Sequence, residues 1–201
     1  MDLLSTYFDK MKIPKISQEG RNKLETPLTE VEVKEAIRAM KAGKSPGIDG
    51  FPAEFYHKFI DLLCPFLTEV LHETFEFGRL PASFNQAVIS LIPKGDKDLT
   101  DPGNYRPISL INVDCKILSK VLATRLEAVI PQIINQDQVG FIKNRSASDN
   151  MRLLHLLWLN RNNTNPVLAI SLDAQKAFDR VEWNFLFTAL EKFGIGDNFC
   201  R

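Results

Sequence analysis

The chain has 201 residues, enough for one large domain or two small ones, and its hydrophobic and charged fractions of 44% and 25% are ordinary for a globular protein. Its 25 basic residues equal its 25 acidic residues, which excludes binding of nucleic acid through a strongly basic overall charge. Any such binding must come from local clusters, although most clusters of this kind are solvated faces. The basic clusters are Arg38, Lys41 and Lys44; Lys116, Lys120 and Arg125; and Lys143, Arg145 and Arg152.

Three cysteines and three histidines are scattered along the chain without a C-x-x-C pair, which argues against a disulfide framework and against a zinc site. Residues 1–11 are too polar for a signal peptide, and no apolar run approaches the length of a membrane span. We therefore expect a soluble, intracellular protein, in the nucleus or the cytoplasm, with no membrane partner.

The first 26 residues lack clear periodicity and are expected to form a partly ordered lead-in. Thr29 followed by Glu32 is the pattern of a capping box, and the apolar spacing after it predicts a helix that stops by Gly43. Residues 43–52 hold three glycines and two prolines. Such a loop can bring its backbone close to another molecule.

Pro52 is well placed to open a second, long helix. Apolar residues at helical spacing between positions 55 and 71 predict a buried face, and Gly78 ends the pattern. Pro65 falls inside this helix, so we expect it to bend or split the helix.

Two short apolar segments, 87–94 and 105–111, are separated by about ten polar residues and predict a β-hairpin. Asp114 is expected to cap the helix that follows. Further on, residues 138–142 form a short apolar turn, and Ser146 or Ser148 is positioned to cap another helix.

Residues 167–181 are the most informative part of the sequence. Five of the six residues in 167–172 are apolar, which suits a strand covered on both faces, and Asp173 follows immediately. Because an ionised aspartate is rarely buried without a partner, Asp173 is a candidate metal ligand. On this segment alone, capping of a following helix is the more common role of such an aspartate.

Five motifs follow one another along the chain: Lys44–Phe51 with Ala53–Tyr56; Leu91–Lys94; Tyr105–Leu110; Gln138–Phe141; and the Asp173 segment with Lys176–Asp179. Their order is that of reverse transcriptases of non-LTR retrotransposons of the long-interspersed-element type, and the chain resembles the N-terminal part of that domain from about residue 27 to residue 200.

The resemblance implies an α+β, right-hand polymerase fold. A helix-rich N-terminal extension would precede the fingers and the first strand and helix of the palm, whose sheet would be incomplete, leaving an exposed edge and an uncovered apolar face. The expected divisions are a lead-in at 1–26, the extension at 27–86, the fingers at 87–165 and the start of the palm at 166–201.

The resemblance also implies roles for individual residues. Asp173 would be the catalytic metal ligand, with the backbone carbonyl of Ala174 as a second metal contact. Lys94 and Arg106 would bind the nucleotide triphosphate, and Phe178 would lie under the incoming sugar. Contacts to the template and primer would come from Ser45, Gly47, Gly50, Gln138, Gly140 and Phe141.

Simpler alternatives exist for several of these residues. Phe178 and Phe141 also suit ordinary core packing, although an exposed aromatic at either position could contact a sugar or stack on a base. Lys94 and Arg106, taken singly, also suit solvated surface charges. On a hairpin, a pair of cations could instead neutralise a polyphosphate.

The implied partners are an RNA template, a DNA primer and a deoxynucleoside triphosphate, and the implied cofactor is Mg²⁺, as two ions in the complete family domain. This sequence provides one ligand position and lacks the family's Ala-Asp-Asp motif, so we expect no polymerisation by this chain alone. Three functional hypotheses stay open: a fragment of an active reverse transcriptase, a decayed retrotransposon remnant without catalysis, and a non-catalytic nucleic-acid-binding module.

Overall fold

The computed structural model describes residues 3–159, 170–174 and 176–200. The chain divides into two compact units. The central unit is Thr26–Thr124, and the terminal unit combines the chain up to Glu25 with Arg125–Cys200. Helices and a single hairpin make up the described structure, which confirms the α+β class. Within the described ranges, none of the helices has both the length and the apolar character needed to cross a membrane.

The central unit contains four helices and both strands. They are α3 (Glu30–Ala39), α4 (Ala53–Lys58), α5 (Ile60–Phe77), β1 (Ala87–Pro93), β2 (Tyr105–Ile111) and most of α6 (Val113–Val129). The buried apolar positions of α3 and α6 recur at helical spacing, so each helix turns one stripe inward. The core of the unit consists of Leu28, Val33, Ala36, Ile37, Tyr56, Cys64, Leu71, Phe84, Val113, Ile117, Leu118 and Val121.

The capping box predicted at the start of α3 is confirmed. The Thr29 hydroxyl accepts a hydrogen bond from Glu32 N at 3.3 Å, and the Glu32 carboxylate accepts one from Thr29 N at 2.8 Å. Two backbone N–H groups that would otherwise lack intrahelical partners are thereby satisfied. The left-handed Gly78, with φ of 62°, likewise ends α5 as predicted.

Replacing Thr29 with alanine should lower the free energy of unfolding by about 1 kcal/mol, because the N-cap acceptor is lost. The matched control is Thr74→Ala: the Thr74 hydroxyl donates to Val70 O at 2.9 Å inside a helix, where removing it should change stability by less than about 0.5 kcal/mol. Urea denaturation followed by circular dichroism measures both. Equal losses for the two variants would contradict the capping assignment.

The expected split at Pro65 is wrong. Helix α5 runs through Pro65 without interruption, and the break lies earlier, at Phe59, where φ is −110° and ψ is 25°. Pro65 is the sixth residue of α5, and its missing N–H removes one helical hydrogen bond, the one to Asp61 O. The helix continues through Pro65 without that bond.

The expected buried face of this region is only partly right. The inward stripe of α5 is Cys64, Thr68 and Leu71, whereas Leu62 and Phe66 are 63% and 61% exposed. The break before α5 changes the helix axis, so a single helical period does not run from residue 55 to residue 71. Apolar spacing therefore predicted the helix but not which of its sides is covered.

The predicted hairpin is confirmed. Strands β1 and β2 pair antiparallel in a register that places Ala87 opposite Ile111 and Ile92 opposite Arg106. All seven residues of β1 are exposed, including Ile89 at 63% and Leu91 at 60%. The hairpin is thus apolar but largely uncovered within the described structure.

Helix α6 begins at Val113, so Asp114 lies inside its first turn, and the expectation that Asp114 caps this helix is wrong. The carbonyl of Asn112 accepts the first intrahelical hydrogen bond, from Lys116 N at 3.2 Å. Asp114 instead accepts a hydrogen bond from Cys115 N at 2.6 Å. The capping position therefore belongs to Asn112.

The terminal unit is built from helices and loops. Its helices are α1 (Leu3–Asp9), α2 (Gln18–Glu25), the end of α6, α7 (Ala147–Leu159), α8 (Trp183–Lys192) and α9 (Asp197–Cys200). The start of α7 agrees with the predicted serine cap, because Ser146 Oγ accepts a hydrogen bond from Ser148 N at 3.2 Å. The small core of the unit consists of Ile16, Leu24, Val129, Ile133 and Ile195.

The expectation of a buried strand over 167–172 is wrong for its described part. Residues 170–172 have no strand pairing, and Ile170 and Leu172 are 70% and 90% exposed; residues 167–169 lie outside the described residues. A buried strand needs neighbours on its edges, and β1 and β2 pair only with each other among the described residues. The next α-helix, α8, starts at Trp183, so Asp173 does not cap it.

Candidate functional site

The loop between α3 and α4 is packed against Asn112. Asn112 is 1% exposed, and its Oδ1 accepts a hydrogen bond from Asp49 N at 3.4 Å. A side chain at Gly47 would overlap that same amide, with its Cβ 2.5 Å from Asn112 N. On the same side of the loop, Lys116 Nζ donates to Ser45 O at 3.4 Å. A glycine is needed at position 47 because the loop backbone lies directly on Asn112.

The opposite side of this loop is open. Gly50 has a φ of +76° and no atom within 4 Å of the place where a Cβ would stand, and the Ser45 side chain is exposed. The loop is anchored at its start, where Gly43 N donates to Glu54 Oε1 at 2.6 Å and lowers the pKa of Glu54. Of the three template–primer candidates in this loop, Ser45 and Gly50 are accessible, whereas Gly47 is occupied by packing.

Two acidic residues of this region, Asp49 and Asp114, lie close enough to the Tyr56 hydroxyl to affect its pKa. Burial raises the pKa of Tyr56 to about 12, and the charges of Asp114 and Asp49 add to that rise, so the hydroxyl stays neutral at physiological pH. Burial also raises the pKa of Asp114, with Asp49 adding to it. Asp49 is itself exposed, and its carboxylate accepts a hydrogen bond from Phe51 N at 3.1 Å. The exposed surface of the loop therefore also carries a negative charge.

Lys94 and Arg106 come together on the hairpin. Arg106 lies opposite Ile92, and the ladder continues one step further as Lys94 N donates to Asn104 O at 2.8 Å. Since cross-strand partners and residues two apart share a face, Lys94 and Arg106 project from the same face as diagonal neighbours. Lys94 Nζ donates to Gly103 O at 2.8 Å, whereas the exposed Arg106 side chain makes no hydrogen bond or ion pair among the described residues.

Gln138, Gly140 and Phe141 form a turn held by Arg145. The guanidinium of Arg145 donates to the carbonyls of Ile134 at 3.1 Å and Gln138 at 2.7 Å, and also to that of Asn135. Gln138 Nε2 donates to Gly140 O at 3.2 Å. Phe141 is 100% exposed, so the alternative in which it packs in a core is wrong.

Asp173, Ala174 and Phe178 lie in an exposed segment. Asp173 has no hydrogen-bond or ion-pair partner among the described residues, and residues 178–180 form a single 3₁₀ turn. Phe178 is 88% exposed, which excludes the core-packing alternative for it as well. This segment belongs to the terminal unit, whereas Lys94 and Arg106 belong to the central unit.

One carboxylate does not make a polymerase metal site. Within the described ranges, no group of three or more histidine, cysteine, aspartate or glutamate side chains is arranged to hold a metal ion. A two-ion site needs bridging and flanking carboxylates that hold two metal ions about 3.5–4 Å apart. The described residues therefore do not fit two Mg²⁺ ions, although Asp173 is accessible as a single ligand.

Sequence reasoning missed Asn112 and the structural use of the basic residues. Lys116 binds Ser45 O, Arg125 Nη1 donates to Leu24 O at 3.3 Å, and Arg145 binds three carbonyls. Lys116 and Arg145 therefore support loops, and Arg125 binds the last turn of α2. The available signal for Asn112 was a polar, cap-forming residue between an apolar strand and an apolar helix.

Residues 92–200 match the family described as reverse transcriptase (RNA-dependent DNA polymerase), and this segment is more than half of the 201 residues. The chain belongs to the reverse transcriptase family. The match includes Arg106, the exposed Phe141 turn and the Asp173 segment, so most of the candidate residues lie inside it.

Relatives narrow the type of reverse transcriptase. The chain is 40% identical over 93% of its length to the transposon TX1 uncharacterized 149 kDa protein of Xenopus laevis. It is 30% identical over 85% of its length to the retrovirus-related Pol polyprotein from the type-1 retrotransposable element R2 of Popillia japonica. It is 28% identical over 87% of its length to the probable RNA-directed DNA polymerase from transposon BS of Drosophila melanogaster.

These relatives confirm the resemblance to reverse transcriptases of non-LTR retrotransposons. The chain spans 14%, 23% and 21% of the length of the three relatives, respectively. It therefore corresponds to the N-terminal part of the reverse transcriptase domain within much longer proteins.

Proposed function

We propose that this chain is the substrate-binding N-terminal part of an RNA-directed DNA polymerase. Residues 27–86 act as the extension along the template and primer, 87–165 as the fingers and 166–201 as the start of the palm. The observation that carries the proposal is the pair of cations, Lys94 and Arg106, on one face of an exposed hairpin. Such a pair can bind the triphosphate of a nucleotide through charge and bidentate hydrogen bonds.

The template and primer would lie along two exposed segments. Ser45 and Gly50 present the open side of the first loop, and Phe141 presents an aromatic ring. Gly47 contributes by letting the loop lie on Asn112, and Gln138 and Gly140 shape the second turn. Backbone amides can contact phosphates, and aromatic rings can stack on bases, without reading the sequence.

In this proposal Asp173 and the carbonyl of Ala174 provide one ligand position for Mg²⁺, and Phe178 contacts the sugar of the incoming nucleotide. The sequence contains no Asp-Asp pair that could complete the family's metal site. The 201 residues would thus bind substrates without joining nucleotides. A second candidate, a non-catalytic nucleic-acid-binding module, is favoured by the same incomplete carboxylate set.

Binding of the template and primer can be measured separately from catalysis. The chain is mixed with a fluorescent RNA template annealed to a DNA primer, and affinity is measured between 50 and 200 mM salt by anisotropy. We expect the logarithm of the affinity to fall linearly with the logarithm of the salt concentration, since phosphate contacts release counterions. Affinity independent of salt, or no binding, would contradict the proposal and favour a decayed remnant.

Primer extension with Mg²⁺ and deoxynucleoside triphosphates tests the chemistry on the same substrate. We expect no extended product from this chain, because one carboxylate cannot hold two metal ions in polymerase geometry. The control is Asp173→Ala, which should bind the template–primer with unchanged affinity. Extended product that disappears in Asp173→Ala would overturn the expectation of inactivity and establish the chain as a polymerase.

A further inference from the structure

The guanidinium of Arg145 binds backbone carbonyls of its own loop. Its Nη1 donates to the carbonyls of Asn135 and Gln138, and its Nη2 donates to Ile134 O at 3.1 Å. Hydrogen bonds to a charged donor contribute about 1.5–3 kcal/mol each, more than neutral ones. The three bonds tie position 145 to the segment 134–138, so the residues between them form a closed turn.

Phe141 stands at an unfavourable position in this turn. It is 100% exposed and has a φ of +63°, in the left-handed region, and Asn144 has a φ of +62°. The left-handed conformation disfavours a residue with a side chain by about 1–2 kcal/mol. Leaving a Phe side chain in water forgoes about 1.5–3 kcal/mol of burial. A conformation of this kind persists only where the surroundings hold it.

The turn supplies that restraint through a small set of hydrogen bonds. Besides the three bonds of Arg145, Gln138 Nε2 donates to Gly140 O at 3.2 Å, and Arg145 N donates to Ile142 O at 3.3 Å. No described side chain covers the ring of Phe141, which leaves both of its faces open. A planar ring with open faces suits a flat aromatic ligand better than a phosphate.

We infer that Arg145 is a positioning residue, which holds the 134–145 turn so that Phe141 stacks on an unpaired base of the template strand. This inference rests on the proposed function, because it needs a bound template. Base–aromatic stacking contributes about 1–3 kcal/mol per base. Arg145 acts through Phe141 and not through a phosphate.

A double-mutant cycle tests the inference on the full chain. The probe is an RNA template with 2-aminopurine in its single-stranded overhang, annealed to a DNA primer, and both affinity and fluorescence quenching are recorded. Phe141→Leu should weaken binding about tenfold and abolish the quenching, since it keeps apolar area but loses the ring. Phe141→Trp should retain both.

Arg145→Met should weaken binding about tenfold in the Phe141 background and less than twofold in the Phe141→Leu background, with an unchanged salt slope. Arg145→Lys should behave like Arg145→Met, because a single ammonium cannot hold the planar fork of contacts. The charge control is Arg21→Met, an exposed arginine whose side chain has no described partner; it should bind like the wild type. Thermal melts check that each variant is folded.

Three results would overturn the inference. Phe141→Leu that binds and quenches like the wild type would show that the ring does not stack. A tenfold loss from Arg145→Met that persists in the Phe141→Leu background, with the salt slope reduced by about one, would make Arg145 a phosphate contact. A wild-type chain that does not bind the template–primer at all would overturn the proposed function. This result is distinguishable from a failure of the inference alone, because it is seen without any variant.

Discussion

Replacing Gly47 with alanine should lower the free energy of unfolding by about 3 kcal/mol, the upper part of the range for overpacking a filled site. The new Cβ would overlap the Asn112 amide and stand 2.5 Å from Asn112 N and 2.7 Å from Asn112 Cα. Asn112 cannot move away easily, because it is 1% exposed and its carbonyl starts α6 by accepting from Lys116 N. The strain must therefore be relieved by lifting the loop.

Urea denaturation measures this loss, and Gly140→Ala is the matched control, since its Cβ would meet nothing closer than 3.7 Å. Template–primer affinity is a second readout: a lifted loop misplaces Ser45 and Gly50, so Gly47→Ala should also bind more weakly under conditions where it is folded. Equal stability of Gly47→Ala and Gly140→Ala would show that the loop does not lie on Asn112.

Elements with short-range causes were predictable from the sequence. The capping box of Thr29 and Glu32, the left-handed Gly78 and the β1–β2 hairpin each depend on a few neighbouring residues, and the structure confirms all of them. Their physical causes, a hydrogen bond to a free N–H, a positive φ and a polar turn between apolar strands, are visible in the sequence itself.

Elements that depend on distant parts of the chain were not predictable. Residues 170–172 have the composition of a buried strand but no described strand to pair with, so their apolar side chains are exposed. Pro65 was expected to bend or split its helix, whereas the break lies at Phe59 and α5 continues through Pro65. A hydrophobic period or a helix-breaking residue predicts that a helix or strand exists. The burial and the bounds of that element follow from what packs against it.

The candidate site shows the same difference between local features, which were predictable, and long-range contacts, which were not. The residue types at Lys94, Arg106 and Asp173 indicated their chemistry, and their proposed roles stay predictions. The supports were missed because they are long-range: Asn112 reaches Asp49 across 63 positions, and Lys116 reaches Ser45 across 71. No local sequence pattern predicts such a contact, because a buried amide or a cation on a helix has many possible partners.

Replacing Arg106 with methionine should weaken the binding of deoxythymidine triphosphate about 30-fold, which corresponds to about 2 kcal/mol for charge-assisted hydrogen bonds. Lys94→Met should cost about fivefold, corresponding to about 1 kcal/mol, because Lys94 Nζ already donates to Gly103 O at 2.8 Å and gains less from a new acceptor. Competition with a fluorescent nucleotide in the presence of Mg²⁺ measures both. The control is Lys97→Met, which removes one positive charge from the exposed tip of the same hairpin.

The double variant decides whether both cations bind one triphosphate. They share a face of the hairpin, so the loss in the double variant should differ from the sum of the single losses by more than about 0.5 kcal/mol, the limit for independent sites. Arg106→Lys should lie between the wild type and Arg106→Met, since it keeps the charge and loses the bidentate fork. Equal losses from Arg106→Met and Lys97→Met would show that the effect depends only on total positive charge. The hairpin would then not be the nucleotide-binding site. A larger loss at Arg106 than at Lys97 would assign the effect to the position of Arg106 on strand β2, because Lys97 lies in the loop outside both strands.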